Sequence, residues 1–470
     1  MSRSVPRRLL FSLAPVLLPA LAAVGVAAAA PAAHAAAPSH ATAASEVVVR
    51  FAPGTSAAER ARAARAAGAG RARHHVGAAG LLRSAGATAR DTVLARLARR
   101  PEVASATPSY PARIAQFTPN DTGVAQAAGP PAGWQQQQWD LVGPFGINVG
   151  GAWDLAGQAG APGGRRVRVA VVDTGVAYAD RGRMRRSPDL APMRLLKGRD
   201  FVANDSFPND ANGHGTFVAS TIAASANNAY GMVGVAYAAD ILPVRVLDAS
   251  GGAGSARIAQ GIRYAVDRGA QVINASIELF DPMAFPPRAL SITTAPEIRE
   301  AIRYAHNRGV VVVAAAGNLA QGDVPSRRLA DSIIYVGGST EHGCLGDYSN
   351  HGAGLDLVAP GGGADAPLPG DPSCRADVPP GRNIAQVTFR RASPGRFVVP
   401  DDYRGTSMAA PHVTGVIALL LAARTLGPNP TPAAVEQRLK ATARDLGAPG
   451  PDRYYGAGLV DATAALGAPR

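Results

Sequence analysis

From Arg165 onward, short apolar runs alternate with helical stretches, and this alternation limits the possible folds more than any other feature. The runs cover residues 167–172, 242–247, 272–277, 310–315 and 333–336, and helices are predicted at 214–224, 255–268 and 297–308. Continuous apolar strands between helices are typical of a parallel sheet with helices on both faces. The sequence therefore predicts an α/β fold with a doubly wound, mostly parallel sheet, which binds ligands at the carboxyl ends of its strands.

The N-terminus resembles an export signal. Residues 1–35 are predicted to be a signal peptide, because Arg3, Arg7 and Arg8 precede an apolar stretch, 9–30, that is followed by an Ala-His-Ala cleavage pattern. The adjacent arginines leave twin-arginine export open beside the general route. A retained membrane anchor is the alternative, but the Pro and Ala content favours a cleaved signal.

The rest of the chain is predicted to form two domains and a linker. Residues 46–113 have the pattern of a small ferredoxin-like α+β domain of order β-α-β-α-β. Residues 114–143 are rich in Gln, Gly and Pro, which indicates a cleavable linker and the start of the main domain. The main domain covers 144–470, and 47% apolar content over 470 residues suffices for a large core.

The positive charge lies mostly outside the main domain. The formal net charge is +13, of which residues 1–45 carry +3 and residues 46–117 carry +8. Residues 118–470 therefore carry only +2. Because the main domain is nearly neutral, the composition argues against a nucleic-acid partner.

Both cysteines, Cys344 and Cys374, lie in the predicted exported part. An even pair in an oxidising compartment favours a disulfide over a catalytic thiol. The spacing gives little support to a zinc site, since neither cysteine lies in a Cys-x-x-Cys pair or a His-rich segment.

Four polar residues stand where short segments of glycine and apolar residues would expose them. Asp173 ends an apolar strand, His214 lies between two glycines before an apolar helix, and Ser407 lies at the start of another apolar helix. A serine hydroxyl needs an imidazole to take its proton, and the imidazole needs a carboxylate to fix its tautomer. Asn318 ends a further apolar strand, where its side chain could donate to an oxyanion. Taken singly these residues are ordinary turn, cap or surface residues; together they indicate nucleophilic catalysis.

Four sequence motifs together resemble the subtilisin-like serine peptidases (subtilases). They are Asp173-Thr174-Gly175, Gly213-His214-Gly215-Thr216, Gly317-Asn318 and Gly405-Thr406-Ser407-Met408-Ala409-Ala410-Pro411-His412. The order Asp, His, Ser is that of this family. The resemblance implies a secreted serine endopeptidase with Ser407 as nucleophile, His214 as general base, Asp173 as its orienting carboxylate and Asn318 in the oxyanion hole.

The resemblance also implies synthesis as an inactive precursor. Residues 46–113 correspond to an inhibitory propeptide, which would act as an intramolecular inhibitor until it is cut. We expect the cut between Arg113 and Pro119, because Thr118-Pro119-Asn120-Asp121 resembles the start of a mature chain. The mature protein is expected to be a monomer that acts on protein and peptide substrates, without a membrane anchor.

The resemblance places the substrate as an added β-strand between an edge near Gly251 and Gly252 and a second edge near Ser276. After Ser276 the family usually has a hydrophobic residue and two glycines that line the pocket for the residue before the cut. This chain has Ile277-Glu278-Leu279. A Glu278 carboxylate would narrow that pocket and pair with Lys or Arg, which predicts a shift toward basic residues; the alternative is that Glu278 faces solvent.

Other departures from the family pattern lie near the catalytic histidine and in one insertion. Phe217 and Ser220 replace the usual His and Gly, and we expect them to alter packing and not chemistry. The insertion between Gly361 and Gly405 is longer than usual and contains Cys374. A bridge from Cys344 would tie it to the sheet, a constraint worth about 3–4 kcal/mol in the chain-entropy model.

Calcium is the cofactor that the resemblance implies, since Asp, Asn and carbonyl oxygens suit this ion. The expected structural site takes the side chains of Asp121, Asp189 and Asn228 and the carbonyls of Ala226, Tyr230 and Met232. A weaker second site would use Asp200, Asp205 and Asn209, although Ala203 stands where a carboxylate is expected. Solvated acidic loops are the alternative for both.

Two other interpretations remain open at this point. A processing peptidase dedicated to one partner would show a sharp preference for basic residues. A catalytically dead member that only binds other proteins would fail to react with a fluorophosphonate.

Overall fold

The computed structural model describes residues 46–467 except for short gaps. The gaps are 71–74, 77–78, 84–86, 109–116, 126–132, 191–194, 282, 284–287, 323, 325–332, 373 and 376. The predicted signal peptide and most of the predicted cleavage window lie outside the described residues. The chain divides into two compact units, Met1–Ile114 and Ala115–Arg470.

The first unit contains an antiparallel sheet of four strands with two helices. The order along the chain is β1 (Glu46–Phe51), α1 (Ala57–Ala66), β2 (His75–Val76), β3 (Ala79–Arg83), α2 (Ala87–Leu97) and β4 (Val103–Pro108). The strands lie side by side as β2-β3-β1-β4. Ser56 and Glu59 form a capping box at the start of α1. The sequence pattern predicted three strands and missed the β2–β3 hairpin.

The second unit is built on a seven-stranded sheet in which every described pairing is parallel. Its strands are β5 (Arg168–Asp173), β6 (Arg199–Asp200), β7 (Asp240–Arg245), β8 (Val272–Ala275), β11 (Val311–Ala315), β12 (Ile333–Ser339) and β13 (Leu357–Pro360). The spatial order is β13-β12-β11-β8-β5-β7-β6. The predicted mostly parallel, doubly wound fold is confirmed. Two short antiparallel pairs lie outside the sheet, β9 (Leu279–Asp281) with β10 (Arg288–Leu290), and β14 (Thr388–Phe389) with β15 (Phe397–Val398).

Helices cover both faces of this sheet. The helices of the second unit are α3 (Trp134–Gln137), α4 (Trp139–Val142), α5 (Val149–Gln158), α6 (His214–Ala223), α7 (Ser255–Asp267), α8 (Pro296–His306), α9 (Thr406–Ala423), α10 (Pro432–Thr442) and α11 (Ala462–Leu466), with 3-10 turns at Pro162–Gly164 and Ile292–Thr294. Alternate β5 side chains enter opposite cores: Val169 and Val171 pack with α5, α6 and α9, whereas Ala170 and Val172 pack with α7 and α8. Each strand is therefore buried on both faces, which explains its continuous apolar sequence.

The helix α9 runs through the larger core. It is long and apolar enough to cross a membrane, but 78% of it is buried inside the fold. It packs against α6 and the strands β8, β11, β12 and β13. Its composition is therefore that of a core helix, and its first turn is fixed at the edge of the sheet.

The insertion between Gly361 and Gly405 is joined to the sheet by a covalent bond. Cys344 and Cys374 form the predicted disulfide, which closes a separation of 30 residues. Cys344 is buried, and Tyr455 is buried in the same small apolar cluster. The bridge thus attaches the insertion at Cys374, and the described part of the insertion includes the short β14–β15 pair.

Candidate active site

Three adjacent strands end at the same edge of the sheet and deliver polar residues there. Asp173 is the last residue of β5, Ser276 directly follows β8, and Asn318 lies three residues after β11. These strands are neighbours in the order β11-β8-β5. Because carboxyl ends of parallel strands meet at one edge, the chain brings residues that are far apart in sequence to one place.

Asp173 and His214 are in direct contact. His214 Nδ1 lies 2.8 Å from Asp173 Oδ1 and 3.0 Å from Oδ2. The carboxylate is fully buried and the imidazole is 26% exposed. A carboxylate can only accept here, so Nδ1 carries the hydrogen of the neutral ring and Nε2 is the basic nitrogen.

The glycine after the histidine permits this contact. A Cβ on Gly215 would lie 2.1 Å from the carbonyl oxygen of Gly175 and 3.0 Å from Asp173 Oδ1. The start of α6 therefore approaches the end of β5 more closely than a side chain would allow.

A buried acid that the sequence analysis missed holds the histidine loop in place. Asp210 accepts hydrogen bonds from Thr174 Oγ1 at 2.9 Å, from Gly213 N at 3.0 Å, and from Thr216 N and Oγ1 at 2.9 and 2.7 Å. Asn212 N donates to it as well, at 2.8 Å. Burial raises the pKa of the Asp210 carboxyl, while the hydrogen bonds from Gly213, Thr216 and Asn212 oppose the rise and favour the ionised form. Its position four residues before His214 was the available signal.

These two acids decide the basicity of His214. Partial burial of the ring works to lower its pKa, but the charge and hydrogen bond of Asp173, with a further contribution from Asp210, outweigh it. The pKa of His214 is therefore raised above its ordinary range. A stronger base at this position is suited to taking a proton from a hydroxyl.

Ser407 is the partly exposed residue in the buried first turn of α9. Its neighbours Thr406 and Met408 are buried. Ser407 Oγ lies 3.4 Å from the carbonyl oxygen of Ser276. Pro411 has no N–H to donate to the Ser407 carbonyl one turn back, and Ser276 Oγ donates to that carbonyl at 2.9 Å instead.

A chain of buried side chains connects Ser276 back to the same helix. Asn274 Nδ2 donates to Ser276 Oγ at 2.9 Å, and Thr414 Oγ1 donates to Asn274 Oδ1 at 2.9 Å. Asn274 and Thr414 are both fully buried. The end of β8 and two turns of α9 are thus linked by hydrogen bonds that the sequence pattern gave no reason to expect.

The amide of Asn318 is held by the residue before Ser407. Thr406 N donates to Asn318 Oδ1 at 2.8 Å, and Thr406 Oγ1 donates to the same oxygen at 3.0 Å. Gly405, at φ 139°, lies so close that a Cβ there would be 3.1 Å from Asn318 Oδ1. Because the amide oxygen is engaged, the NH₂ group is the end of Asn318 left to act as a donor.

Glu278 faces Asn318. Glu278 Oε1 accepts from the backbone N–H of Asn318 at 3.0 Å. Burial raises the pKa of the Glu278 carboxyl, while hydrogen bonds from the Asn318 backbone and side chain oppose the rise. Glu278 also lines a narrow cleft with Ile277, Ser291 and Ala315, among others. The carboxylate is therefore half-buried beside Asn318 and does not simply point to solvent.

The predicted substrate edge near Gly251 lies in a turn after β7. Asp248 Oδ1 accepts from the backbone N–H groups of Ser250 at 2.8 Å and Gly252 at 3.1 Å. Gly251 and Gly252 are both exposed. Pairing of a substrate with this segment stays a prediction.

The residues of the first predicted calcium site lie close together. Asn228 Nδ2 donates to Asp189 Oδ1 at 2.9 Å, and Asn227 N donates to Asp121 Oδ2 at 2.8 Å. Both carboxylates are fully buried.

Burial raises the pKa of Asp121, and burial together with the charge of Asp121 raises the pKa of Asp189 to about 8. Two buried acids, one of which is disfavoured in its charged form by the other, fit a bound cation. Among the described residues no three His, Cys, Asp or Glu gather as a metal cluster, so amide and carbonyl oxygens would complete the ligand set.

The acids of the second predicted site are paired with arginines. Arg245 Nη1 donates to Asp200 Oδ2 at 2.7 Å, and Arg181 Nη1 donates to Asp205 Oδ2 at 3.1 Å. Asn209 exchanges two hydrogen bonds with the backbone of Ala179. This calcium site stays a prediction, with guanidinium groups already beside both carboxylates.

Phe217 and Ser220 both contact the insertion. The ring of Phe217 stacks on Tyr403 with centroids 4.2 Å apart, and Ser220 Oγ donates to the carbonyl of Val387 at 3.0 Å. The two departures from the usual sequence therefore attach α6 to a segment that also carries the disulfide.

Comparison with known proteins shows the family of the chain. Residues 164–458 match the model of the subtilase family. A thermophilic serine proteinase of Bacillus sp. (strain AK1) is 35% identical over 331 residues, which cover 70% of this chain and 66% of that one. Subtilisin Savinase of Lederbergia lenta is 34% identical over 302 residues, 64% of this chain and 91% of that one. A solved structure titled as proteases from Pseudoalteromonas arctica PAMC 21717 is 30% identical with a TM-score of 0.56, covering 74% of this chain and 99% of that one.

The fold and the site define a subtilisin-like serine endopeptidase. The chain belongs to the subtilase family.

Replacing Asp210 tests its influence on His214. The Asp210→Asn variant removes one negative charge, so the pKa of His214 should fall. Since the neutral imidazole is the active form, the acid limb of the kcat/KM profile should move to lower pH. Because Asn cannot accept at every contact, kcat should also fall. The measurement is peptide hydrolysis between about pH 5 and 9. An unchanged acid limb in a folded variant would show that Asp210 has only a structural role.

Proposed function

We propose that this protein is a secreted endopeptidase that hydrolyses peptide bonds through Ser407. The observation that carries the proposal is the 2.8 Å contact of His214 with the buried Asp173 at the sheet edge where α9 presents Ser407. The disulfide between Cys344 and Cys374 and the predicted signal peptide support export, since disulfides persist in oxidising compartments.

In this proposal His214 Nε2 takes the proton of Ser407 as the hydroxyl attacks the substrate carbonyl. Asp173 keeps the other ring hydrogen on Nδ1 and stabilises the imidazolium that forms. His214 then gives its proton to the leaving amine. The acyl group is then bound to Ser407 as an ester. Water attacks this ester while His214 takes its proton, and His214 returns the proton to Ser407 as the acid leaves.

The oxyanion would be bound by the Asn318 side-chain NH₂ and the backbone N–H of Ser407. Thr406 supports this role because it holds the amide oxygen by two hydrogen bonds, and Gly405 leaves room for that oxygen because it has no Cβ. The N-terminal end of α9 adds its positive dipole near the developing charge.

Replacing Ser407 tests the nucleophile. The Ser407→Ala variant should lose about 10⁶-fold in kcat, the scale known for loss of the same residue in subtilisin. It should also fail to react with a fluorophosphonate. The matched control is Ser393→Ala, which removes an exposed serine in the insertion and should keep both signals. Labelling that persists without Ser407 would refute this assignment.

The first unit is proposed to be an inhibitory propeptide that the enzyme itself removes. Its independent core and its own sheet support this proposal. After removal the second unit would act as a monomer. A peptidase dedicated to one partner is the second candidate, and Glu278 is the observation that favours it.

Glu278 is proposed to favour Lys or Arg before the cut. Its half-buried carboxylate with a raised pKa would be stabilised by a substrate cation. The same group also holds the backbone of Asn318, so it affects catalysis on every substrate.

Comparing substrates separates these two effects. In Glu278→Gln, the kcat/KM ratio of Lys or Arg substrates to Phe or Leu substrates should fall about tenfold or more, the scale of one ion pair. The absolute rate on neutral substrates should change less, because Gln can still accept from Asn318. The matched control is the exposed Glu300→Gln on α8. An unchanged ratio would mean that Glu278 does not select the substrate.

Calcium is proposed to bind at the first predicted site. Asp121, Asp189 and Asn228 would hold the ion with the carbonyls of Ala226, Tyr230 and Met232. The ion would stabilise the fold by offsetting the repulsion between the two buried carboxylates.

Chelation tests this site. EDTA should lower the Tm of the mature enzyme, and Asp189→Asn, which resembles the protonated acid, should remove most of that shift. Asp205→Asn is the comparison, and it should keep the shift because Asp205 is paired with Arg181. If Asp205→Asn removes the shift instead, the ion binds at the second site. If chelator has no effect on any variant, neither calcium prediction holds.

A further inference from the structure

Phe117 lies in the expected cleavage window, and its backbone and side chain both contact the second unit. Its backbone N–H donates to Asp154 Oδ1 at 2.9 Å. Its ring packs edge-on against Trp153 with centroids 5.8 Å apart. The same ring packs in a tilted arrangement against Tyr237 with centroids 5.3 Å apart. The Asp154 carboxylate thus holds the backbone nitrogen of Phe117, and the rings of Trp153 and Tyr237 hold its side chain.

The residues that follow Phe117 are also bound. Trp134 Nε1 donates to the carbonyl of Pro119 at 3.0 Å. Asn120 N donates to Asn227 Oδ1 and Asn120 Oδ1 accepts from Ala229 N, both at 3.0 Å. A cut within 117–120 would therefore release residues that the second unit holds, whereas a cut before Phe117 would not.

We propose that the mature chain begins at Phe117 and that Asp154 is the receptor for its new α-ammonium group. Hydrolysis adds water across the bond between the Gln116 carbonyl carbon and the Phe117 nitrogen. Gln116 becomes a carboxylate, and the Phe117 nitrogen becomes an amine that takes up a proton at neutral pH. The hydrogen bond from a neutral N–H to the Asp154 carboxylate is thereby converted to an ion pair with an ammonium group, which adds the attraction between two opposite charges to the contact. Processing thus stabilises the mature form at this point. The proposal rests on the proposed maturation, but not on which peptidase makes the cut.

In this pair the α-amino group of Phe117 is the group that titrates near pH 8. The described contacts place Tyr237 beside Asp154, and burial with the charge of Asp154 raises the pKa of that phenol to about 12. An unperturbed α-amino group has a pKa of about 8, and a neighbouring carboxylate raises it. The α-amino group is therefore charged below about pH 8. The ion pair is lost as the pH rises through the raised pKa of this group in the folded protein.

N-terminal sequencing and intact mass of the processed wild type are the first test. The expected result is a single chain that starts at Phe117. A stable chain that starts at Ile114, directly after Arg113, would overturn the proposal and would instead favour a cut after a basic residue. If Ser407→Ala is trimmed in the same way, self-processing is wrong, but the residue read at the terminus still decides this proposal.

The second test compares Asp154→Asn in the mature enzyme and in the unprocessed Ser407→Ala chain at fixed calcium. In the mature form the substitution should lower the Tm by on the order of 2 °C at pH 6–7, with a smaller effect above about pH 9. In the unprocessed form the effect should be small and independent of pH, since an amide oxygen can accept the same neutral N–H. The matched control is Asp180→Asn, whose carboxylate accepts from the backbone of Arg186 at 2.8 Å and should respond equally in both forms. An equal effect of Asp154→Asn in both forms at every pH would refute the receptor role.

Discussion

The burial of α9 against the parallel sheet is the constraint on which the rest of the site depends. Apolar side chains along the helix fill the larger core, so its axis and its first turn cannot shift without opening that core. Pro411 leaves the carbonyl of Ser407 without its helical partner, and Ser276 supplies the missing hydrogen. The serine is thus positioned by packing along the helix and by one hydrogen bond from the end of β8.

Polar groups at the sheet edge form two connected networks with different tasks. Asp210 joins Thr174 and Thr216, and so fixes the loop that carries His214 against the end of β5. Thr406 and Glu278 fix Asn318 from its side-chain oxygen and its backbone N–H. The first network places the charge of Asp210 near His214. The second network sets the direction of the Asn318 side-chain NH₂ group. The first network is buried and the second is half-buried, and burial makes hydrogen bonds to charged groups strong and unpaired groups costly.

The departures from the usual family sequence gather around the same edge. Phe217 stacks on Tyr403 in the insertion, and the disulfide holds the insertion at Cys374. Glu278 brings a carboxylate to a place where the family usually has glycine. This chain therefore has the family's motifs at the proposed catalytic residues and differs from the usual sequence at residues that surround them.

The sequence by itself determined the class of fold and pointed to the residues proposed to react, because apolar periodicity and the motifs around Asp173, His214 and Ser407 are local properties of the chain. It also indicated the disulfide, since the chain has only two cysteines. Only the tertiary structure decided which distant groups meet, such as Asn274 with Thr414, Asp200 with Arg245, and Phe117 with Asp154. Those contacts join residues 37 to 140 positions apart. No local pattern encodes them, because their partners are chosen by strand order and helix packing.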